Sequence, residues 1–268
     1  MIDKSLPLLF ICVFWTFLSS TNALAQDRGE NPTRIDLSAT GGYIGGNLHQ
    51  AQLQGRLHLS RSTKTNGFDL IGSAFRLWRP LESGGKIEQV GDDQSLLALP
   101  FHYLGEKPYV LGLARIERIG LRQIERRING GVGVGLAPIR EENRLVRLAL
   151  GGLFESSLYD NDALEPTWAT GNNPRSIPRA FLVSNGWFRP KKSKFGGFYV
   201  GILMVDPSEP RDVRGQIDAG LDVKVTRSVS IRLAANVVHE TVVPVGLLRS
   251  DLRSTVGFSW KTPLKPSK

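Results

Sequence analysis

The sequence predicts an all-β fold, an antiparallel up-and-down transmembrane β-barrel of about twelve strands. Three observations predict it. Apolar and polar residues alternate with period two in run after run. The clearest runs last about a dozen residues, whereas strands of soluble domains average about five or six and a tilted bilayer-crossing strand needs about nine to eleven. The connections also tend to alternate between short and long.

The clearest stretch runs from Asp212 to Glu240. Val213, Gly215, Ile217, Ala219, Leu221, Val223 and Val225 share one parity, and Arg214, Gln216, Asp218, Gly220, Asp222 and Lys224 the other. A tight connection at Thr226, Arg227 and Ser228 follows, and the alternation resumes at Val229, Ile231, Leu233, Ala235 and Val237, which makes a hairpin.

The remaining elements follow in order. A first strand opens at Ile35 and ends near Tyr43, and a second carries Leu53, Gly55, Leu57 and Leu59 in alternation with Gln54, Arg56, His58 and Ser60. RSTKTNG turns into a third, about Phe68 to Trp78, and RPLESGGKIEQVGDD reads as a longer connection. The fourth sets Ser95, Leu97, Leu99, Phe101 and Tyr103 on one face, with Pro100 predicting a bulge or local break in the ladder. Tyr109 to about Ile119 is the fifth, and INGGVGVGLAP the sixth, with Gly131, Gly133 and Gly135 on one side and Val132, Val134 and Leu136 on the other. Arg144 to Tyr159, Ile177 to Phe188 and Phe195 to Val205 follow, with the Asp-, Asn- and Pro-rich segment DNDALEPTWATGNNPRS as the longest loop. The hairpin supplies the tenth and eleventh, and about Asp251 to Lys261 the last. Aromatics near strand ends, among them Tyr43, Trp78, Tyr103, Tyr109, Tyr159, Trp187, Phe188, Phe195, Tyr199 and Trp260, suggest interfacial girdles.

Residues 1–25 read as a secretory signal: the n-region MIDK, an apolar run from Leu6 to Leu18 too short to span a bilayer, and Ala23-Leu24-Ala25 as a cleavage site. Residues 26–268 then form one barrel domain, exported to the outer membrane. Cys12 is the single cysteine and falls in the signal, so the mature chain has no thiolate catalyst, Cys-based zinc site or disulfide. Closure of the sheet in a membrane supplies the stability instead. The net charge of +9 suggests nucleic acid at first sight, but export and the scattered arginines point elsewhere. The expected partners are membrane lipids and lipopolysaccharide and the outer-membrane assembly machinery, with no nucleic acid.

Certain local words resemble a known family. An opening strand ends in Gly42-Tyr43 and Gly46-Asn47, Arg127 precedes a strand rich in alternate glycines, and Pro244 and Asp251 link the last two strands in VPVGLLRSDLRSTVGFSW. In these the chain resembles the salt-induced outer-membrane proteins, over about Ile35 to Trp260. The resemblance implies an outer-membrane barrel and no established activity. One departure is that Phe258 and Trp260 are followed by KTPLKPSK, where such barrels commonly end on the aromatic residue that the assembly machinery reads.

No catalytic, metal or cofactor site emerges. GGVGVG lacks the following helix that a phosphate-cradling loop requires, and alternate glycines more simply leave space on one face. Ser184-Asn185-Gly186 resembles part of the outer-membrane phospholipase pattern, but Leu182 stands where the His base belongs. His49, His58, His102 and His239 are scattered. The candidate functional residues are lumen-facing charges: Arg56, Arg214, Asp218, Asp222, Lys224, Arg232 and Arg253. They suggest either a barrel filled by mutual ion pairs, suited to envelope integrity, or a narrow anion-leaning passage. The alternatives are a soluble periplasmic β-barrel or sandwich that binds a lipid or small ligand, and an outer-membrane hydrolase.

Overall fold

The computed structural model describes residues 33–44, 50–80, 87–141, 143–159, 175–190, 193–243 and 248–261. The signal, His49 and most of the longest loop lie outside them. The described residues form β1 (Arg34–Ile44), β2 (Gln50–Ser62), β3 (Asn66–Pro80), β4 (Ile87–Tyr103), β5 (Pro108–Ile119), β6 (Ile124–Arg140), β7 (Arg144–Tyr159), β8 (Arg175–Phe188), β9 (Phe195–Val205), β10 (Val213–Lys224), β11 (Val229–Glu240) and β12 (Ser250–Lys261). Each strand pairs antiparallel with its sequence neighbours, and β1 pairs with β12 to close the barrel. Among the described residues no helix is long and apolar enough to cross a membrane, a statement that does not bear on crossing by strands.

Closure leaves no edge of unpaired backbone groups. It also gives every strand an inner and an outer face. On β10 and β11, Ile217, Leu221 and Leu233 are about half exposed, while Arg214, Asp222 and Arg232 are buried. The apolar parity therefore points out and the charged parity in. The same holds on β6 and β7, where Val132 (74%) and Leu150 (64%) face outward.

One sector of the interior is apolar. On β3 to β9, Ile71, Leu97, Leu99, Phe101, Leu111, Leu113, Phe181, Val183, Val200, Ile202 and Met204 form a single buried cluster. Glycine makes room for it. A Cβ on Gly131 would come within 2.4 Å of Leu153 Cβ, one on Gly133 within 2.9 Å of the Phe181 ring, and one on Gly135 within 2.6 Å of the Tyr109 ring. The alternate glycines of β6 are thus the floor on which large side chains from β5, β7 and β8 lie.

Several expectations are corrected. The segment RPLESGGKIEQVGDD is not one long connection, because β3 continues to Pro80 and β4 begins at Ile87. Its acidic residues look like a loop, yet Asp93 faces inward and pairs with Arg253. The bulge lies there as well: register slips between Leu77 and Trp78. Pro100 does break the β4–β5 ladder, but without a slip, since Ala98↔Ala114 and Phe101↔Leu111 keep one register. Lacking an N–H, Pro100 instead lays its ring over Gly112, where a Cβ would come within 2.9 Å of Pro100 Cγ. The aromatic girdle is partial. Phe188, Phe195 and Trp260 are exposed, but Tyr103, Tyr109 and Tyr159 are at most 5% exposed and belong to the interior. Strand-end position does not reveal which face a ring occupies.

Filling the glycine floor is expected to weaken the barrel. Gly133→Val should cost about 1–3 kcal/mol or more through overpacking against Phe181. The temperature at which the folded, fast-migrating form is lost on a gel should fall, while Val134→Leu on the exposed face should leave it unchanged.

Candidate functional site: the charged lumen

The strands bring inward-facing charges from opposite walls into contact. At the end where the short turns lie, Arg232 of β11 donates from Nε to Asp222 Oδ1 (2.8 Å) and from Nη2 to Asp36 Oδ2 of β1 (2.8 Å). Its Nη1 reaches Ser38 Oγ at 3.0 Å, and Lys261 also donates to Asp222. The ring of Phe198 on β9 is approached by two guanidiniums, Arg56 at 4.3 Å and Arg232 at 4.7 Å from its centroid. Arg56 of β2 pairs across the lumen with Asp218 of β10.

Across the same half, Asp69 of β3 receives Arg147 of β7, His58 Nε2 (3.0 Å) and Asn185 Nδ2 of β8 (3.4 Å). The Arg147 guanidinium also stacks on Phe101 at 4.1 Å, where the apolar sector meets the charged one.

The densest network fills the other end. Arg127 of β6 donates from Nη1 to Glu240 Oε1 of β11 (2.9 Å) and to Glu117 Oε1 of β5 (3.1 Å), and from Nε to Ser157 Oγ (3.0 Å). Arg214 of β10 meets Glu155 Oε2 of β7 at 2.9 Å and Glu117 Oε1 at 3.6 Å. Arg179 of β8 joins Glu155 (3.3 Å) to Asp212 (3.1 Å), which also receives Arg175 at 2.7 Å. Arg122 enters from the β5–β6 connection. A single 3-10 turn, Gly120–Arg122, ends on Gln123 in the left-handed region (φ 54°), and this tight reversal aims Arg122 inward toward Asp251 at 2.9 Å.

These side chains are almost inaccessible: Arg127, Arg179, Arg214, Glu117, Glu155 and Glu240 are all buried. Charges in such surroundings persist only when matched, because an unpaired one suffers the whole desolvation penalty. Contacts between walls five strands apart, such as Arg127 with Glu240, cross the lumen. The remaining cavity nearby holds about 80 Å³, room for a few waters.

Of the sequence-derived candidates, Arg56 meets Asp218, Asp222 meets Arg232, Arg214 meets Glu155, and Arg253 meets Asp93 at 2.7 Å. Lys224 is exposed at the end of β10 and enters none of these pairs. The candidates omitted Asp36, Asp69, Arg115, Glu117, Arg127, Glu155, Arg179 and Glu240. A parity signal existed for several: Arg115 and Glu117 share the face of Leu111 and Leu113. That face is half apolar, so alternation alone does not mark it as the charged one. Ser184 hydrogen-bonds Tyr199 Oη at 3.0 Å on the outer parity of β8, with no histidine in its contacts. Among the described residues no cluster of metal-ligating side chains occurs.

Together these features define a closed twelve-stranded barrel with a charge-filled interior. The chain belongs to the family described as protein of unknown function, DUF481, whose model matches residues 39–261. No curated protein matches it. Among solved structures it is similar to the NanC porin (10% identity, 85% of this chain and 100% of that chain, TM-score 0.47). It is also similar to the translocator domain of the autotransporter NalP from Neisseria meningitidis (12%, 96% and 97%, TM-score 0.41). A third is the KdgM porin in complex with disordered oligogalacturonate (12%, 85% and 98%, TM-score 0.40). At these identities and scores the likenesses say nothing of what this chain does.

Truncating the hub tests the network. Arg127→Ala leaves Glu240 and Glu117 facing each other and should cost about 3–5 kcal/mol in urea unfolding from lipid vesicles. Adding Glu240→Gln should recover part of that loss. Arg144→Ala removes an exposed pair with Glu141 and should change nothing measurable.

Proposed function

We propose that the protein is an exported outer-membrane barrel that serves envelope integrity, with its lumen closed at rest. The observation that carries this reading is its inside-out distribution: buried charges meet across the lumen while large apolar side chains coat the outside. A water-soluble barrel would reverse that arrangement, since apolar side chains left in water cost free energy. An open aqueous channel would leave its wall charges accessible, and Arg127, Arg232 and Asp222 are each at most 2% exposed. In this reading a signal over residues 1–25 directs export, the assembly machinery inserts the chain, and membrane lipids with lipopolysaccharide surround it. The short turns lie in the periplasm and the longer connections outside. Induction by salt, which the resembling family's name carries, belongs to the same proposal.

A second reading, narrow anion passage, draws on the cavity's lining. Five inward arginines, Arg56, Arg115, Arg122, Arg214 and Arg253, stand there against four carboxylates, Asp93, Glu117, Asp218 and Glu240. Passage would need the cross-lumen pairs to part.

Planar-bilayer recording separates the two. The wild-type protein is expected to show no steady conductance, and a stable open pore would sink the closed-barrel reading. Brief, small, anion-favouring openings would support passage, and clear cation preference would refute it. A mobility difference between unheated and boiled samples of the membrane fraction is expected, and release of the protein by osmotic shock would exclude the membrane altogether.

A further inference from the structure

The outer wall carries a trough that packing does not explain. Two adjacent cross-strand rows cross β12, β1, β2, β3, β4 and β5. In one, Ala39 pairs with Gly55, Gly55 with Ala74, and Ala74 with Gln94, which faces Arg118. In the next, Leu57 pairs with Gly72 and Gly72 with Leu96. The middle of the first row is therefore built of small residues, and the second dips to Gly72 between two leucines, with Phe258 (65% exposed) and Trp260 (42%) bounding the trough at the short-turn end.

The two glycines differ from those of β6. A Cβ on Gly55 would meet nothing within 4 Å, and one on Gly72 would make only ordinary contacts at 3.7 and 3.9 Å. Neither makes room for a neighbouring side chain, so the space beside them lies open. It amounts to about 1270 Å³, and its walls are Leu37, Leu57, Leu96 and Ile116. At the long-connection end two exposed cations, Arg118 and Arg126, stand with one exposed carboxylate, Glu125.

We propose that this trough seats a phosphorylated glycolipid of the outer leaflet, its acyl chains over Ala39, Gly55, Gly72 and Ala74 and its phosphate at Arg118 and Arg126. The inference rests on the membrane reading above. An apolar channel with a basic head matches an amphiphile whose headgroup is anionic, and cations near a membrane surface favour such headgroups. A second copy of the chain fits less well. A two-fold contact brings the same patch together from both sides, and two concavities face to face enclose a void rather than a packed interface.

The test uses the full mature barrel in detergent, with purified lipid A and dephosphorylated lipid A as probes and native mass spectrometry as readout. An unheated gel first establishes that each variant is a folded barrel, so a failure of the membrane reading is seen separately. Wild type is expected to retain lipid A over the dephosphorylated form. Gly55→Leu fills the trough where a side chain has room, and should abolish retention without loss of the folded form. The double variant R118Q/R126Q should keep binding but lose about tenfold or more of the preference for phosphate. Equal retention by wild type and Gly55→Leu, no retention by a folded wild-type barrel, or a Gly55-sensitive dimer in place of bound lipid would each overturn the proposal.

Discussion

The structure depends on the matching of buried charge across the lumen. Arg127 makes this plain. Its guanidinium serves Glu117 on the neighbouring strand and Glu240 from the far side of the barrel, with Ser157 beside it. None of these groups reaches water to any extent. A polar lumen too narrow for solvent has to satisfy itself, and arginine suits the task because its planar fork donates in several directions at once. The network thereby fixes the strands' relative positions as well as filling the space between them.

Glycine and the apolar sector complete the packing. Ionic pairs alone cannot fill an interior of this size. The barrel lays Leu99, Phe101, Tyr109 and Phe181 along one wall and thins the backbone of β6, within that wall, with Gly131, Gly133 and Gly135. Arg147 bridges the two regimes, paired with Asp69 and stacked on Phe101. Glycines thus have opposite meanings in the two walls. On β6 they are demanded by neighbours inside, while Gly55 and Gly72 leave a hollow outside. Period-two alternation makes both possible in one sheet, the inward parity of β6 and the outward parity of β2 and β3.

On the closed-barrel reading proposed above, this organisation differs from that of a general pore. Pore walls keep their charges wet, and here cross-lumen contacts remove them from water. On that proposed reading, function turns on whether those contacts part under some condition or whether the barrel stays a solid element whose outer surface, with its trough, meets lipid.

Much of the fold was legible in the chain itself. Strand count, order and closure follow from the length of the alternating runs, and the hairpin of β10 and β11 emerges within a residue or so. The alternation also separated the charged parity there from the apolar one, because a strand with one face in lipid must keep its charges on the other. The tertiary structure alone decided who meets whom. Glu240 follows Arg127 by 113 positions, and no local pattern encodes a partner on the far wall. It also decided which strands turn an apolar face inward: Leu97, Leu99 and Tyr103 alternate as cleanly as any lipid-facing set, yet they lie inside. Local periodicity records that two faces differ, and only closure of the barrel determines which of them is enclosed.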